Sequence, residues 1–158
     1  MKKTIIFGVL ALAAGCFAVN TACAQIQWTP EQKAVWETET TMRDLSLKGK
    51  DEKAWSYIDE SYQGWRNDIA VPRSKEARIA LAKYGLSQGD KNLYIELSPI
   101  DIWVKGNYAY ADYFFNSFWE NGAGKKMHSH GRSMDVLMKE GDKWMLVGDS
   151  GGADATSK

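Results

Sequence analysis

Gly131-Arg132-Ser133-Met134-Asp135-Val136-Leu137-Met138-Lys139-Glu140-Gly141-Asp142-Lys143-Trp144-Met145-Leu146-Val147-Gly148-Asp149 reads as two strands folded about a tight turn. Glu140-Gly141-Asp142 has the small and polar residues that a hairpin turn needs. The flanks carry β-branched, aromatic and apolar side chains at spacings that suit a pleated surface. The first strand is expected from about Lys126 to Met138 and the second from Lys143 to Asp149.

Upstream, Asn121-Gly122-Ala123-Gly124 makes a longer turn, preceded by two runs dense in aromatics, Leu93 to Val104 and Tyr108 to Trp119. Gly106-Asn107 between them predicts a second hairpin. Pro99 cannot donate to a strand ladder and predicts a bulge or an edge position.

Further upstream the period becomes helical. Thr29-Pro30-Glu31-Gln32 can form a capping box with proline at the first helical position, and Val35, Met42 and Leu45 mark an apolar stripe. This helix should reach about Leu47 and stop at Gly49. Asp51 is expected to cap a short second helix, with Ala54, Trp55 and Ile58 on one face. Tyr62 to Trp65 reads as a short strand or loop. Ser74 opens a third helix whose apolar face is expected at Ala77, Ala80, Leu81 and Tyr84, with Gly85 as its stop. Three helices with one short strand among them, followed by a meander, define an α+β class.

This order resembles the nuclear transport factor 2-like superfamily. The Gly131 to Asp149 hairpin looks like the Gly-Arg-x-x-Asp-Val and Trp-x-Leu-Val strands of its SnoaL-like branch, and Asn107-Tyr108-Ala109-Tyr110-Ala111-Asp112-Tyr113 is similar to its strand after the central turn. The resemblance implies a cone, with N-terminal helices packed in a strongly curved antiparallel sheet, and a homodimer formed through that sheet. It implies no single activity, because members include ketosteroid isomerases, a dehydratase, an epoxide hydrolase, polyketide cyclases and kinase association domains. Relatives often end the last strand with a His-x-His pair; Gly148 and Ser150 stand there in this chain.

The two histidines of the protein are His128 and His130, on one face of a strand at period two. A metal would need a third ligand, and no carboxylate stands at an obvious neighbouring position. Arg132 continues that row, giving either an anion-binding face or a surface ion pair. Asp135 has the opposite parity unless a bulge intervenes. The Arg-x-x-Asp spacing does not reproduce the alternating arrangement of the epoxide-hydrolase branch. Asp112 and Asp149 are the other strand acids, each a candidate general base if desolvated. Trp65 and Trp119 are expected as apolar wall and Tyr113 as a polar contact inside the cone.

The N-terminus carries Lys2 and Lys3, an apolar run from Ile5 to Ala14, and Ala22-Cys23-Ala24 before Gln25, the pattern of a secretory signal peptide cleaved after Ala24. Ala13-Ala14-Gly15-Cys16 is a weaker lipoprotein box. Cleavage after Ala24 leaves 134 of the 158 residues as one domain over 25–151, with a polar, disordered tail at 152–158. Both cysteines, Cys16 and Cys23, leave with the signal, so the mature chain has no thiol chemistry. Its 18 basic and 20 acidic residues give a formal charge of −2, which offers no field for nucleic acid or anionic lipid. All seven tryptophans and seven tyrosines remain. These features predict a periplasmic or secreted protein that binds a small, partly apolar molecule in the cone without a cofactor. The alternatives are a non-catalytic homodimeric association module and an isomerase, dehydratase or hydrolase working by general acid-base catalysis.

Overall fold

The computed structural model describes residues 27–154; the expected signal peptide, its expected cleavage site and both cysteines lie outside them. The first helix, α1, is Pro30–Leu47. Its capping box forms as expected: Thr29 Oγ1 accepts from the Gln32 N–H at 3.2 Å, and Gln32 Oε1 accepts from the Thr29 N–H at 2.9 Å. Helix α2 is Asp51–Trp55, with Lys50 rather than Asp51 at the cap position. Asp51 sits one residue inside, where its carboxylate accepts from Ser46 Oγ at 2.9 Å instead of capping.

Strand β1 is Ile58–Arg66, longer than the short strand or loop expected, and the two-residue β2 is Arg73–Ser74. Helix α3 is Lys75–Ser87; Ser74 caps it through the Ala77 N–H. Then follow β3, Lys91–Lys105, β4, Tyr108–Glu120, β5, Lys126–Glu140, and β6, Lys143–Ala153. The six strands lie in the order β2-β1-β6-β5-β4-β3 in one strongly curved sheet. The sheet is mixed rather than wholly antiparallel, because β1 runs parallel to β6. Pairing with β5 carries β6 to Ala153, two residues past the expected domain end, and the Asn67 N–H bonds the Gly151 carbonyl at 2.9 Å.

The register of β3 on β4 shifts between Pro99 and Asp101, the bulge expected at the proline. The β4 to β5 register is unbroken from Tyr108↔Met138 to Glu120↔Lys126. Strict alternation therefore holds along β5 and decides which of its residues face the helices.

The core lies between α1 and the concave face of the sheet. Val35, Ile102, Ala109, Ala111, Tyr113, Leu137 and Trp144 form its main cluster, with Trp36 edge-on to Tyr113. A second cluster joins Met42, Ile58, Tyr62 and Leu146. Each large buried side chain contributes about 1.5–3 kcal/mol. Helix α3 is different: none of its residues is buried, and Leu81 and Tyr84 of the expected apolar face are more than half exposed. The helix instead turns Arg78, Ile79 and Ala82 toward the sheet, because Arg78 is drawn to buried polar partners.

Candidate functional site

Two matching polar relays stand on the concave side of the sheet. Helix α1 places Val35, Thr38, Glu39 and Met42 on its buried face, and Arg43 follows Glu39 by four residues on that stripe. Arg43 Nη2 donates to the Tyr113 hydroxyl at 2.8 Å, and that hydroxyl donates to Asp135 Oδ2 at 2.9 Å. Ser133 Oγ donates to Asp135 Oδ1 at 2.9 Å, which leaves the carboxylate held at both oxygens. The guanidinium itself lies 3.6 Å from Asp135.

The second relay repeats the pattern from other elements. Arg78 Nη1 on α3 donates at 2.5 Å to the Tyr62 hydroxyl on β1 and at 2.5 Å to Asp149 Oδ2 on β6. Tyr62 in turn donates to Asp149 Oδ2 at 2.8 Å. Asp149 Oδ1 is buried with no hydrogen-bond partner among the described residues. Gly64 makes the contact geometrically possible, since a Cβ there would fall on the Tyr62 hydroxyl and within 2.6 Å of Asp149 Oδ1.

Electrostatics follow from burial. Glu39 is fully buried with both oxygens unpartnered among the described residues, and desolvation, then the charge of Asp135, raise its carboxyl well above the ordinary value. Its proton is therefore held more tightly than that of an exposed glutamic acid. Burial is also the main cause that pushes Tyr113 far up and Tyr62 up to about 12, so both phenols keep their protons. Arg43 is held more basic, first by Tyr113 and then by Asp135. Burial lowers Arg78, but Tyr62 and Asp149 outweigh it and leave it raised; Arg43 opposes them through like-charge repulsion.

Both arginines open on empty space. A cavity of about 240 Å³ is lined by Arg43, Arg66, Arg78, Tyr113 and Asp149, with Ile95, Leu97, Phe115 and Trp119 as apolar wall. It shares Arg43, Arg78, Asn92 and Trp119 with a wider cleft of about 450 Å³ between α2, α3 and the start of β3, where Met42, Trp55 and Leu86 add apolar surface.

The seven residues expected to line the cone divide by strand parity. Tyr113 and Trp119 line the cavity, and Asp135 lies directly behind Tyr113. Trp65, His128, His130 and Arg132, expected inside the cone, belong instead to the opposite, convex face and do not line the cavity. In the unbulged β5, inward Gly131, Ser133 and Asp135 force Arg132 outward against Phe114. His128 stacks on Phe118 with ring centroids 4.3 Å apart and bonds Asn116 Oδ1 at 2.7 Å; His130 lies beside it at 5.3 Å. Trp65 alternates with buried Gly64 and is 59% exposed. Asp112 also belongs to the outward set, opposite Met134.

Sequence reading missed Glu39, Arg43, Tyr62 and Arg78. A signal existed for the first two, since both continue the helical spacing from Val35 through a stripe that should be apolar. Arg78 gave none, because the apolar spacing of α3 pointed elsewhere.

No family model matches the chain, and no curated protein matches it. Solved structures do. A ketosteroid isomerase-like protein from Erwinia carotovora atroseptica superposes with a TM-score of 0.67 at 7% identity, covering 80% of this chain and 99% of that one. A nuclear transport factor 2-like protein from Cytophaga hutchinsonii gives 0.64 at 12%, covering 77% and 97%. Another, with a cystatin-like fold, from Novosphingobium aromaticivorans gives 0.60 at 16%, covering 79% and 83%. At such identities the likeness concerns the fold, and the chain has the cone of nuclear transport factor 2-like proteins.

Proposed function

We propose that this chain, a nuclear transport factor 2-like cone, is an exported protein that binds a small, partly apolar molecule inside the cone. One observation carries the reading: at the cavity, an apolar wall of Ile95, Leu97, Phe115 and Trp119 faces a polar floor of Arg43, Arg78 and Tyr113. Convergence of a few polar groups in an apolar concavity is the usual form of a small-molecule site. Export rests on the signal-like N-terminus. Native mass spectrometry of the chain purified from periplasm or culture fluid tests the reading; a reproducible bound mass supports it, and an empty protein from several growth conditions counts against it.

A second reading, association of two copies through the sheet, is favoured by the convex face. Tyr94, Trp103, Phe114 and Phe118 are each 40% or more exposed there, and Trp103 stacks on Tyr110 at 5.7 Å. Exposed aromatics gathered on one sheet face usually mark an interface. The two readings are compatible, since they use opposite faces of one sheet. Light scattering that found only monomer at micromolar concentration would remove the second.

A further inference from the structure

We infer that the ligand of the cone carries a carboxylate, received by the outer edges of the Arg43 and Arg78 guanidinium groups. The inference rests on the proposed small-molecule reading and names the chemical class that the site selects.

Each guanidinium has five donors in a rigid fork. Arg43 engages Nη2 alone, with Tyr113 and Asp135, and Arg78 engages Nη1 alone, with Tyr62 and Asp149. The Nε and the other Nη of each have no acceptor among the described residues. Both side chains are about a quarter exposed, at 26% and 28%, and both line the cavity and the cleft beside it. A fork with an open edge fits the two oxygens of a carboxylate.

The two relays make those edges rigid. Each arginine is fixed on its far side by a tyrosine that is itself fixed by an aspartate, so little side-chain freedom remains to be lost when an anion arrives. The arginines come from α1 and α3, the tyrosines from β4 and β1, and the aspartates from β5 and β6. Two like charges facing one cavity repel each other, and an anion between them removes that repulsion.

Three arginines of the cavity lining, Arg43, Arg66 and Arg78, outnumber its one acid, Asp149, so the cavity favours an anion. The apolar wall opposite the arginines takes the remainder of the molecule, and aromatic or alicyclic acids fit both halves.

Calorimetric titration with benzoate, 3-phenylpropionate and 1-naphthylacetate, each beside its neutral primary amide, tests this. At least one acid should bind about tenfold or more tightly than its amide, as expected for charge-assisted paired hydrogen bonds. Arg43→Lys and Arg78→Lys should shrink that gap, because lysine keeps the charge and loses the fork. Trp119→Ala should weaken acid and amide alike and leave the gap intact. If an arginine variant does not fold, the acid-to-amide comparison on the unaltered protein still decides. Amides binding as tightly as acids overturn the carboxylate and leave the cavity reading standing; no binding in either series at millimolar concentration overturns both.

Discussion

Arg78 on α3 lies with Nη1 2.5 Å from Asp149 Oδ2 on β6, and this ion pair holds a helix that has no buried residue of its own. Apolar burial, which secures α1, contributes little to α3. Its attachment is polar, through Arg78 to Tyr62 and Asp149, with Lys75 bonded to Glu60 at 2.6 Å near its start. Replacing Arg78 by Met should therefore cost about 2 kcal/mol, the scale of hydrogen bonds to a charged group. It should also release α3 before the rest of the molecule. Amide hydrogen exchange checks this: faster exchange confined to 77–88 is expected, and unchanged protection there would show that the helix is held by something else.

Gly64 is required by the same relay. Its Cβ would enter the space of the Tyr62 hydroxyl, so Gly64→Ala should destabilise by about 1–3 kcal/mol, the usual range for overpacking. Combined with Tyr62→Phe, which removes the struck oxygen, the loss should be less than the sum of the two single losses. Urea unfolding of the four proteins provides the comparison, and strict additivity would speak against the clash.

Glu39 makes stability depend on pH with a definite sign. Its folded-state value is raised from 4.5, so below about pH 4.5 folded and unfolded chains both hold the proton and no stability is lost. As pH rises past 4.5 the unfolded chain ionises first and gains relative to the folded one, until the folded-state value is passed. Glu39→Gln removes this slope. Measured from pH 3.5 to 8, the stability of the glutamine variant should gain on the unaltered protein as pH rises; parallel curves would mean that folding does not raise Glu39.

The convex face yields a prediction independent of the cavity. Phe114 is 51% exposed and stands opposite Arg132 in the β4 to β5 ladder. If two copies associate there, Phe114→Glu introduces like charges across the interface and should convert a dimer to monomer by light scattering, with melting of the isolated fold changed by less than about 1 kcal/mol. A variant that stays dimeric would place the interface elsewhere.

Local features were legible in the chain because their causes are local. The Thr29 to Gln32 capping box, the turns at Gly106-Asn107 and Gly141-Asp142, the Pro99 bulge and the change from helical to alternating period all rest on residues a few positions apart. They were enough for the α+β class; the cone was expected only through the family resemblance that the element order and the Gly131 to Asp149 hairpin carry. Even the parity of β5 was available from the sequence, conditional on the absence of a bulge.

The site depended on distance in space rather than in sequence. Arg43 meets Tyr113 and Asp135, and Arg78 meets Tyr62 and Asp149, through bonds spanning up to 87 positions. No periodicity encodes such a meeting. Desolvation then completed what sequence could not state: the same carboxyl chemistry gives an acid that holds its proton more tightly at Glu39 and an ion-pair partner at Asp149, because only folding sets which groups lose water and which charge stands beside them. The rotation of α3 shows the same rule from the other side. Its apolar spacing favoured Leu81 and Tyr84, but a buried aspartate and tyrosine attract a guanidinium more strongly than a thin apolar face packs, and Arg78 turned inward.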